Sequence, residues 1–260
     1  ERRHNLSGNL NYWNPASFSN VGIGVWSNFF DNQIVYSQRS VLNDTAGIET
    51  TSRPVNVSGG NQYSGYLWTN FPIIKTKLSM NLSGNFDGSR SPVFINDEEY
   101  ETTSNGYSIR AVLNLTPNPK LILGLSGNIR YTYVRYSVQD DQNQNIQNHG
   151  ASASLKWQFI SKTFLESNFG YSVYKNDRFE FNQELPIWNA SVRRLVGQNN
   201  RIELRLAAFD ILNKRVSITQ NGTQNYVIRN IANTLARYYM LSLSYNMRGY
   251  ENKLNKGGWW

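Results

Sequence analysis

Cysteine is missing from the 260-residue chain, so a disulfide framework and thiolate metal sites are excluded. Long hydrophobic runs are missing as well. No stretch approaches the roughly 18 apolar residues that a membrane-spanning helix needs. Charged residues are few, at 17% of the chain, and the mean hydropathy is only −0.54. The composition therefore favours neither a conventional apolar core nor the highly charged surface of a soluble domain.

Basic residues exceed acidic ones, with 26 Lys and Arg against 18 Asp and Glu, for a net charge of +8. A nucleic-acid surface would gather such charges on one face. Here they are scattered singly along the chain, which argues against nucleic acid as a partner. A basic lumen or contacts with lipid phosphates explain the excess better.

Aromatic residues are abundant, at 13% of the chain, and they fall within patterns of period two. The segment 238–250 reads YYMLSLSYNMRGY, in which apolar and polar residues alternate. Such alternation is typical of a β-strand with one apolar face and one polar face. Comparable alternation predicts about eleven strands, whose apolar positions include Leu6–Tyr12, Val21–Phe29, Tyr63–Phe71, Leu78–Phe86, Tyr107–Leu115, Leu121–Tyr133, Ala151–Phe159, Leu165–Val173, Trp188–Val192, Ile202–Ala208 and Tyr239–Met247.

Connections between these strands are predicted to alternate in length. Short turns are expected near 14–19, 73–76, 116–119, 160–163 and 197–200, and long loops over 42–60, 87–100, 138–148, 176–184 and 213–235. Each strand has about ten alternating residues, which is enough to cross a bilayer at a tilt. The pattern predicts an all-β fold, an antiparallel transmembrane β-barrel in a bacterial outer membrane.

A soluble β-sandwich is the competing interpretation, but its strands average about 5–6 residues. Its polar face would also carry more Lys and Glu than the Ser, Asn and Thr seen here. Aromatic residues at many strand ends further favour interfacial girdles. These are Tyr12, Trp13, Phe71, Tyr131, Tyr133, Trp157, Phe159 and Tyr171.

The predicted strand count is odd, whereas single-chain bacterial barrels normally have an even number of strands. We therefore expect residues 1–250 to form half of a larger barrel. We expect residues 251–260 to form a separate C-terminal tail. Its Lys253, Lys256, Trp259 and Trp260 suit a periplasmic interfacial anchor.

Charged residues within the predicted strands alternate with the apolar ones and should face the lumen. Placing Arg or Lys against lipid would cost about 2–4 kcal/mol at the midplane. Two interpretations stay open: a basic lumen that attracts anionic cargo, or ion pairs with a plug domain. The predicted lumen-facing charges are Arg110, Arg130, Lys156, Glu166, Arg193, Arg201, Glu203 and Arg205.

Two regions resemble a known family. RIELRLAAFDILNKRVSITQNGTQNYVIRN (Arg201–Asn230) and LARYYMLSLSYNMRG (Leu235–Gly249) resemble the C-terminal end of TonB-dependent-receptor-type barrels of the Bacteroidota. YSGYLWTNFPIIKTKLSMNLSGNF (Tyr63–Phe86) resembles an earlier hairpin of these barrels. The resemblance is strongest at Phe209–Asn213 and in the last strand.

The resemblance implies a barrel of 22 strands around an N-terminal plug, of which this chain supplies the C-terminal half. It implies import of a nutrient such as a glycan, peptide or metal chelate, with TonB and a surface lipoprotein as candidate partners. No plug or TonB box is seen in this sequence. A structural barrel within a secretion or assembly complex is the alternative. The last strand resembles the signal read by the outer-membrane assembly machinery, carried by Tyr239, Leu241, Leu243, Tyr245 and Met247.

Catalytic and metal-binding groups are sparse. The two histidines, His4 and His149, lie near predicted extracellular strand ends, and no Gly-x-Ser-x-Gly motif occurs. The acidic residues Asp97–Glu101 could in principle ligate calcium, although a solvated loop explains them better. We expect no enzyme activity, no catalytic residue, no metal site and no cofactor; a hydrolase ranks third among the hypotheses.

Overall fold

The computed structural model describes residues 2–43, 47–95, 98–137, 143–215, 217–222, 227–232, 235–248 and 250. These residues form strands and turns, with two single-turn 3-10 segments, Asp177–Phe179 and Gln198–Asn200. The strands are β1 (Arg2–Asn14), β2 (Ser19–Asp31), β3 (Gln33–Asn43), β4 (Gly47–Val57), β5 (Gly60–Ile74), β6 (Leu78–Ile95), β7 (Glu98–Asn118), β8 (Leu121–Tyr136), β9 (Gln144–Ile160), β10 (Thr163–Asn176), β11 (Phe181–Val196), β12 (Ile202–Phe209), β13 (Ser217–Gly222), β14 (Val227–Ala232) and β15 (Tyr238–Tyr245).

Eleven strands pair side by side in one antiparallel path, in the order β1-β2-β5-β6-β7-β8-β9-β10-β11-β12-β15. Strands β3 and β4 form a hairpin that joins the same sheet through one parallel contact, Gln38 with Ile95. Strands β13 and β14 form a separate two-stranded sheet. The predicted all-β fold with about eleven long antiparallel strands is confirmed. Strands β1 and β15 lie at the two edges of the path.

The two ends of the sheet differ in their connections. At one end, called the short-turn end, tight turns occupy residues 15–18, 75–77, 119–120 and 161–162, and a 3-10 turn occupies 198–200. These agree with the predicted short turns. At the opposite end, called the long-hairpin end, the chain enters the β3–β4 and β13–β14 hairpins. Two connections at this end that were predicted to be long are short, because β7 begins at Glu98 soon after β6 ends at Ile95, and β11 begins at Phe181 soon after β10 ends at Asn176. The predicted alternation of short and long connections is therefore present only in part.

The predicted long loops are wrong in one respect, because much of their length is strand. Pairing of β6 with β7 continues to Ile95 and Glu98, through the segment expected to be a loop over 87–100. The β3–β4 hairpin likewise fills much of 42–60. The β6–β7 extension has consecutive apolar residues at Pro92–Ile95 and is otherwise mostly polar, so no period-two hydrophobic signal reveals it. Residues 138–142 and the tail 251–260 lie outside the described residues.

Little of the sheet packs into a conventional core. One small cluster lies at the short-turn end, where Phe164 and Leu195 are fully buried and pack with Ile122 and Tyr250. Elsewhere, large apolar side chains are mostly exposed, as they are in Leu10, Ile109 and Leu243. The sheet therefore holds together chiefly through its backbone ladder and through contacts between polar side chains.

Candidate functional site: the two faces of the sheet

One face of the eleven-strand path is apolar and exposed. Residues paired across an antiparallel ladder share a face, and the pairing runs Ile23–Leu67–Gly84–Ile109–Ile129 across β2, β5, β6, β7 and β8. Leu204 and Leu243 continue the pattern on β12 and β15. We call this surface the apolar face. Ile109 is 67% exposed and Leu241 is 77% exposed, values that a water-facing sheet would not favour.

Aromatic rings border the apolar face toward the long-hairpin end. Neighbouring ring centroids in this series lie between 5.1 and 6.4 Å apart, and the series runs from β5 to β9 through Tyr63, Phe86, Tyr107, Tyr133, Tyr131 and His149. We call it the aromatic row. At the short-turn end, Trp157 and Phe159 lie 5.7 Å apart. Aromatic residues thus border the apolar face at both ends.

The opposite face is polar and contains most of the buried side chains. Asn28 has no exposed surface, and Lys156, Gln158, Asn176 and Ser191 are each less than a tenth exposed. We call this surface the polar face. The distribution inverts the rule for soluble domains, in which large apolar residues lie inside and polar ones outside.

Seven of the eight predicted lumen-facing charges lie on strands at the polar face, where pairing aligns Arg110 with Asn128, Glu166 with Lys156 and Arg193 with Arg205. The eighth, Arg201, precedes β12 in an exposed turn. The structure therefore brings most of these residues to one surface, although not into one cluster.

Four of these charges form a network across β10, β11 and β12. Glu166 accepts from Arg205 at 3.1 Å and lies 3.4 Å from Arg193 Nε, while Arg193 donates to Glu203 at 3.3 Å. Arg205 also donates to Ser191 at 3.1 Å, and the Arg193 guanidinium lies 4.1 Å from the ring centre of Phe164. Two arginines opposed across a ladder would repel each other. Glu166 relieves this repulsion because its two oxygens reach both.

A second ion pair bridges three strands farther along the polar face. Arg130 on β8 donates to Asp87 on β6 at 2.9 Å, passing over Gly106 on β7. A Cβ atom at Gly106 would lie 2.5 Å from Asp87 Oδ2 and 2.6 Å from Arg130 Nη2. A side chain at this position would therefore have to displace the ends of both charged side chains. Asp87 was not among the predicted lumen-facing charges. Its position next to the apolar Phe86 in the alternating pattern would have placed it on the polar face.

These ion pairs bear on the two interpretations of the lumen charges. Glu166, Arg193, Glu203, Arg205 and Arg130 all have partners of opposite charge within the sheet itself. They therefore need no plug for neutralisation, and they do not form a purely basic surface.

Strand β15 carries the predicted assembly signal. Tyr239, Leu241, Leu243 and Tyr245 alternate along it and lie exposed on the apolar face. Met247 lies beyond the strand, in a turn, with 82% of its surface exposed. Tyr245 therefore ends the strand, one alternating position earlier than expected.

The Phe209–Asn213 segment forms an ordered turn that leads out of β12. Asp210 is buried, and its carboxylate accepts the backbone N–H groups of Lys214 at 3.0 Å and Arg215 at 2.9 Å. Its own N–H donates to Asn189 Oδ1 at 2.9 Å. Asp210 has a φ of 49°, which Asp tolerates better than most residues do. The turn fixes the direction in which the chain leaves the sheet.

Groups capable of catalysis or metal binding are not brought together among the described residues. They contain no cluster of three or more His, Asp or Glu side chains suited to a metal. His4 lies 3.5 Å from the exposed Asp31, and His149 ends the aromatic row. Of the predicted acidic stretch, Asp97 lies outside the described residues, and Glu101 pairs with Arg90. In the part of the chain that is described, no helix is long and apolar enough to cross a membrane.

Comparison with known proteins adds no family assignment. No family model matches the chain, and no curated protein is significantly similar in sequence.

Proposed function

We propose that this chain forms part of an outer-membrane β-barrel that imports a nutrient, as TonB-dependent receptors do. The observation that carries the membrane location is the inverted distribution of exposure. Apolar side chains cover one face of the sheet and are exposed, while most of the buried side chains, including polar and charged ones, lie on the opposite face. A bilayer outside and water or protein inside would give each face its favoured surroundings.

The dimensions of the apolar face support this location. On β8 it extends from Leu121 to Tyr133, about 40 Å of strand at roughly 3.3 Å per residue. Tilted by about 45°, this length spans about 28 Å, close to the apolar band of about 25 Å in outer-membrane barrels. Aromatic residues at both ends match the interfacial girdles of such barrels.

The direction of the edge strands supports the proposal that the sheet is half of a larger barrel. Eleven antiparallel strands place β1 and β15 in the same direction. Joining these two edges directly would create a parallel pair in an otherwise antiparallel barrel. A second copy rotated about the membrane normal would have the same problem. An odd number of additional strands restores antiparallel pairing and makes the total even, as in most bacterial barrels.

Import as the function draws support from the resemblance of Arg201–Asn230 and Leu235–Gly249 to TonB-dependent-receptor-type barrels. In this proposal the long-hairpin end faces outward and binds cargo, while the polar face lines the passage or contacts a plug. The chain then provides wall and loops, with an energised plug supplied by other parts of the protein.

A structural subunit of a secretion or assembly complex is the second candidate. Ile34 and Tyr36 on the β3–β4 hairpin favour it. They lie beyond the aromatic row, and 53% of the surface of Ile34 and 66% of the surface of Tyr36 are exposed. Apolar side chains placed there are available to a partner protein.

The test is purification of the native protein from outer membranes in mild detergent, followed by mass measurement and titration with the purified periplasmic domain of TonB. We expect a mass far above 29.9 kDa and saturable TonB binding. A stable co-purifying partner without TonB binding would favour the structural subunit. A protein released from membranes by alkaline carbonate would contradict both candidates.

A further inference from the structure

A groove interrupts the apolar face between β2 and β8. Its volume is about 630 Å³, within the range typical of small-molecule sites. The surface that lines it is almost entirely carbon. Sites for polar ligands contain a few placed hydrogen-bonding groups, so this groove suits a hydrocarbon.

Two glycines form the floor of the groove. Gly65 pairs with Val25 and Phe86, and Gly84 pairs with Leu67 and Ile109. Because neither glycine has a side chain, the surface dips between larger neighbours. A Cβ atom at Gly65 would come no closer than 3.6 Å to another atom, and one at Gly84 no closer than 3.8 Å. Larger side chains at these positions would therefore fill the groove without striking the backbone.

The aromatic row closes the groove toward the long-hairpin end. Phe86, Tyr107 and Tyr131 contribute to its lining, and they belong to the level at which the interfacial aromatic girdle would lie. An acyl chain in the groove would thus start at the interface and run toward the bilayer centre.

Positive charge lies beyond the aromatic row on the same face. Arg90 and Arg135 flank Thr103 on neighbouring strands. Arg90 is paired with Glu101. Arg135 lies 5.6 Å from the ring centre of Tyr133 and donates only to neutral acceptors in its described hydrogen bonds, two carbonyls and Asn145 Oδ1. Its charge is available to an anionic headgroup.

We propose that this groove binds one acyl chain of an anionic lipid of the surrounding bilayer, with the headgroup phosphate near Arg135. The inference rests on the proposed membrane location. It adds a defined lipid site to a face that would otherwise contact lipid non-selectively.

The test uses the full native protein in nanodiscs of equal parts phosphatidylglycerol and phosphatidylcholine, analysed by native mass spectrometry after transfer to detergent. We expect one phosphatidylglycerol to be retained per protein. Gly65→Leu and, separately, Gly84→Leu should reduce its retention at least fivefold. Arg135→Gln should keep a bound lipid but bring the two lipids to equal retention.

Gly127→Leu is the matched control. Gly127 lies on the apolar face between Ala111 and Ala151, does not line the groove, and has the same 3.8 Å clearance as Gly84. Heat-modifiable migration in gels would verify that each variant is folded, and Arg135→Gln tests the site independently if a glycine variant is not.

Unchanged retention in both glycine variants, or equal retention of the two lipids by the wild type, would overturn the lipid site. Either result in a protein that resists carbonate extraction leaves the membrane location intact. Release by carbonate would instead contradict the proposed function itself, so the two failures are distinguishable.

Discussion

The two faces of the sheet are built from the same strands, but one exposes apolar side chains and the other pairs polar and charged ones. On β12, Leu204 and Leu206 are exposed on the apolar face, while the intervening Arg205 makes two hydrogen bonds on the polar face. The apolar face has no partner among the described residues, and the polar face satisfies itself through cross-strand ion pairs. In the proposed membrane location, the surroundings of each face account for this difference, since lipid favours apolar side chains and the lumen favours polar ones.

The largest test of this difference puts a charge on each face. We expect Leu125→Arg, on the apolar face of β8 and 56% exposed, to destabilise the native protein in lipid vesicles by about 2–4 kcal/mol if it lies near the midplane. Asn128→Glu, on the polar face of the same strand and paired with Arg110, should change stability little. Urea unfolding measured by tryptophan fluorescence provides both values. Equal effects of the two changes would contradict a lipid-facing apolar face.

Removing the shared carboxylate of the polar face should have the next largest effect. Glu166→Gln leaves Arg193 and Arg205 opposed without the anion that reaches both. Their side chains are 12% and 21% exposed, so we expect a loss of about 2 kcal/mol, below the value for fully buried pairs. Asp87→Asn, which breaks a pair that is 37% and 47% exposed, should cost less than about 1 kcal/mol. The free energy of unfolding of both variants, measured at low and at high salt, is the test. A larger loss of stability in Asp87→Asn than in Glu166→Gln would contradict this prediction.

The turn after β12 allows a smaller, local test. Asp210→Ala removes the acceptor for the N–H groups of Lys214 and Arg215, and we expect a cost of about 1–2 kcal/mol. Limited proteolysis should then cut faster between β12 and β15, while Asp177→Ala, at an exposed position, should leave the rate unchanged. Identical cleavage rates in the wild type and in Asp210→Ala would show that Asp210 does not order this turn.

The smallest expected effect concerns the glycine beneath the Asp87–Arg130 pair. Gly106→Ala places a Cβ 2.5 Å from Asp87 Oδ2 and should displace the pair, at a cost of about 1 kcal/mol or less. Gly127→Ala, whose Cβ would have 3.8 Å of clearance, should be neutral or slightly stabilising because it restricts the unfolded chain. The difference in unfolding midpoint is the measurement. A more stable Gly106→Ala variant would mean that the pair contributes nothing.

Strand positions and faces were largely predictable, because period-two alternation is strong wherever one face must be apolar. The alternation in Leu78–Phe86 and Leu121–Tyr133 predicted both the strands and the faces that the pairing now defines. The extension of β6 and β7 to Ile95 and Glu98 was not predictable. Its apolar residues are the consecutive run Pro92–Ile95 and its other residues are mostly polar, so pairing there leaves no hydrophobic period.

The ion-pair partners on the polar face could not be predicted from the sequence either. Alternation placed Glu166 and Arg205 on one surface, although 39 residues separate them along the chain. Which charge meets which depends on register, and register is set by the pairing of whole strands. The Asp87–Arg130 pair depends in addition on the missing side chain of Gly106 on the strand between them.

By itself, the sequence determined the all-β architecture, the alternation of two unlike faces and the short turns at one end of the sheet, because each is a local pattern of residue types. The tertiary structure alone decided the ion-pair partners, the buried carboxylate of Asp210 and the groove above Gly65 and Gly84. Each of these needs residues from different strands to meet at one level, and only the register of the assembled sheet specifies that level.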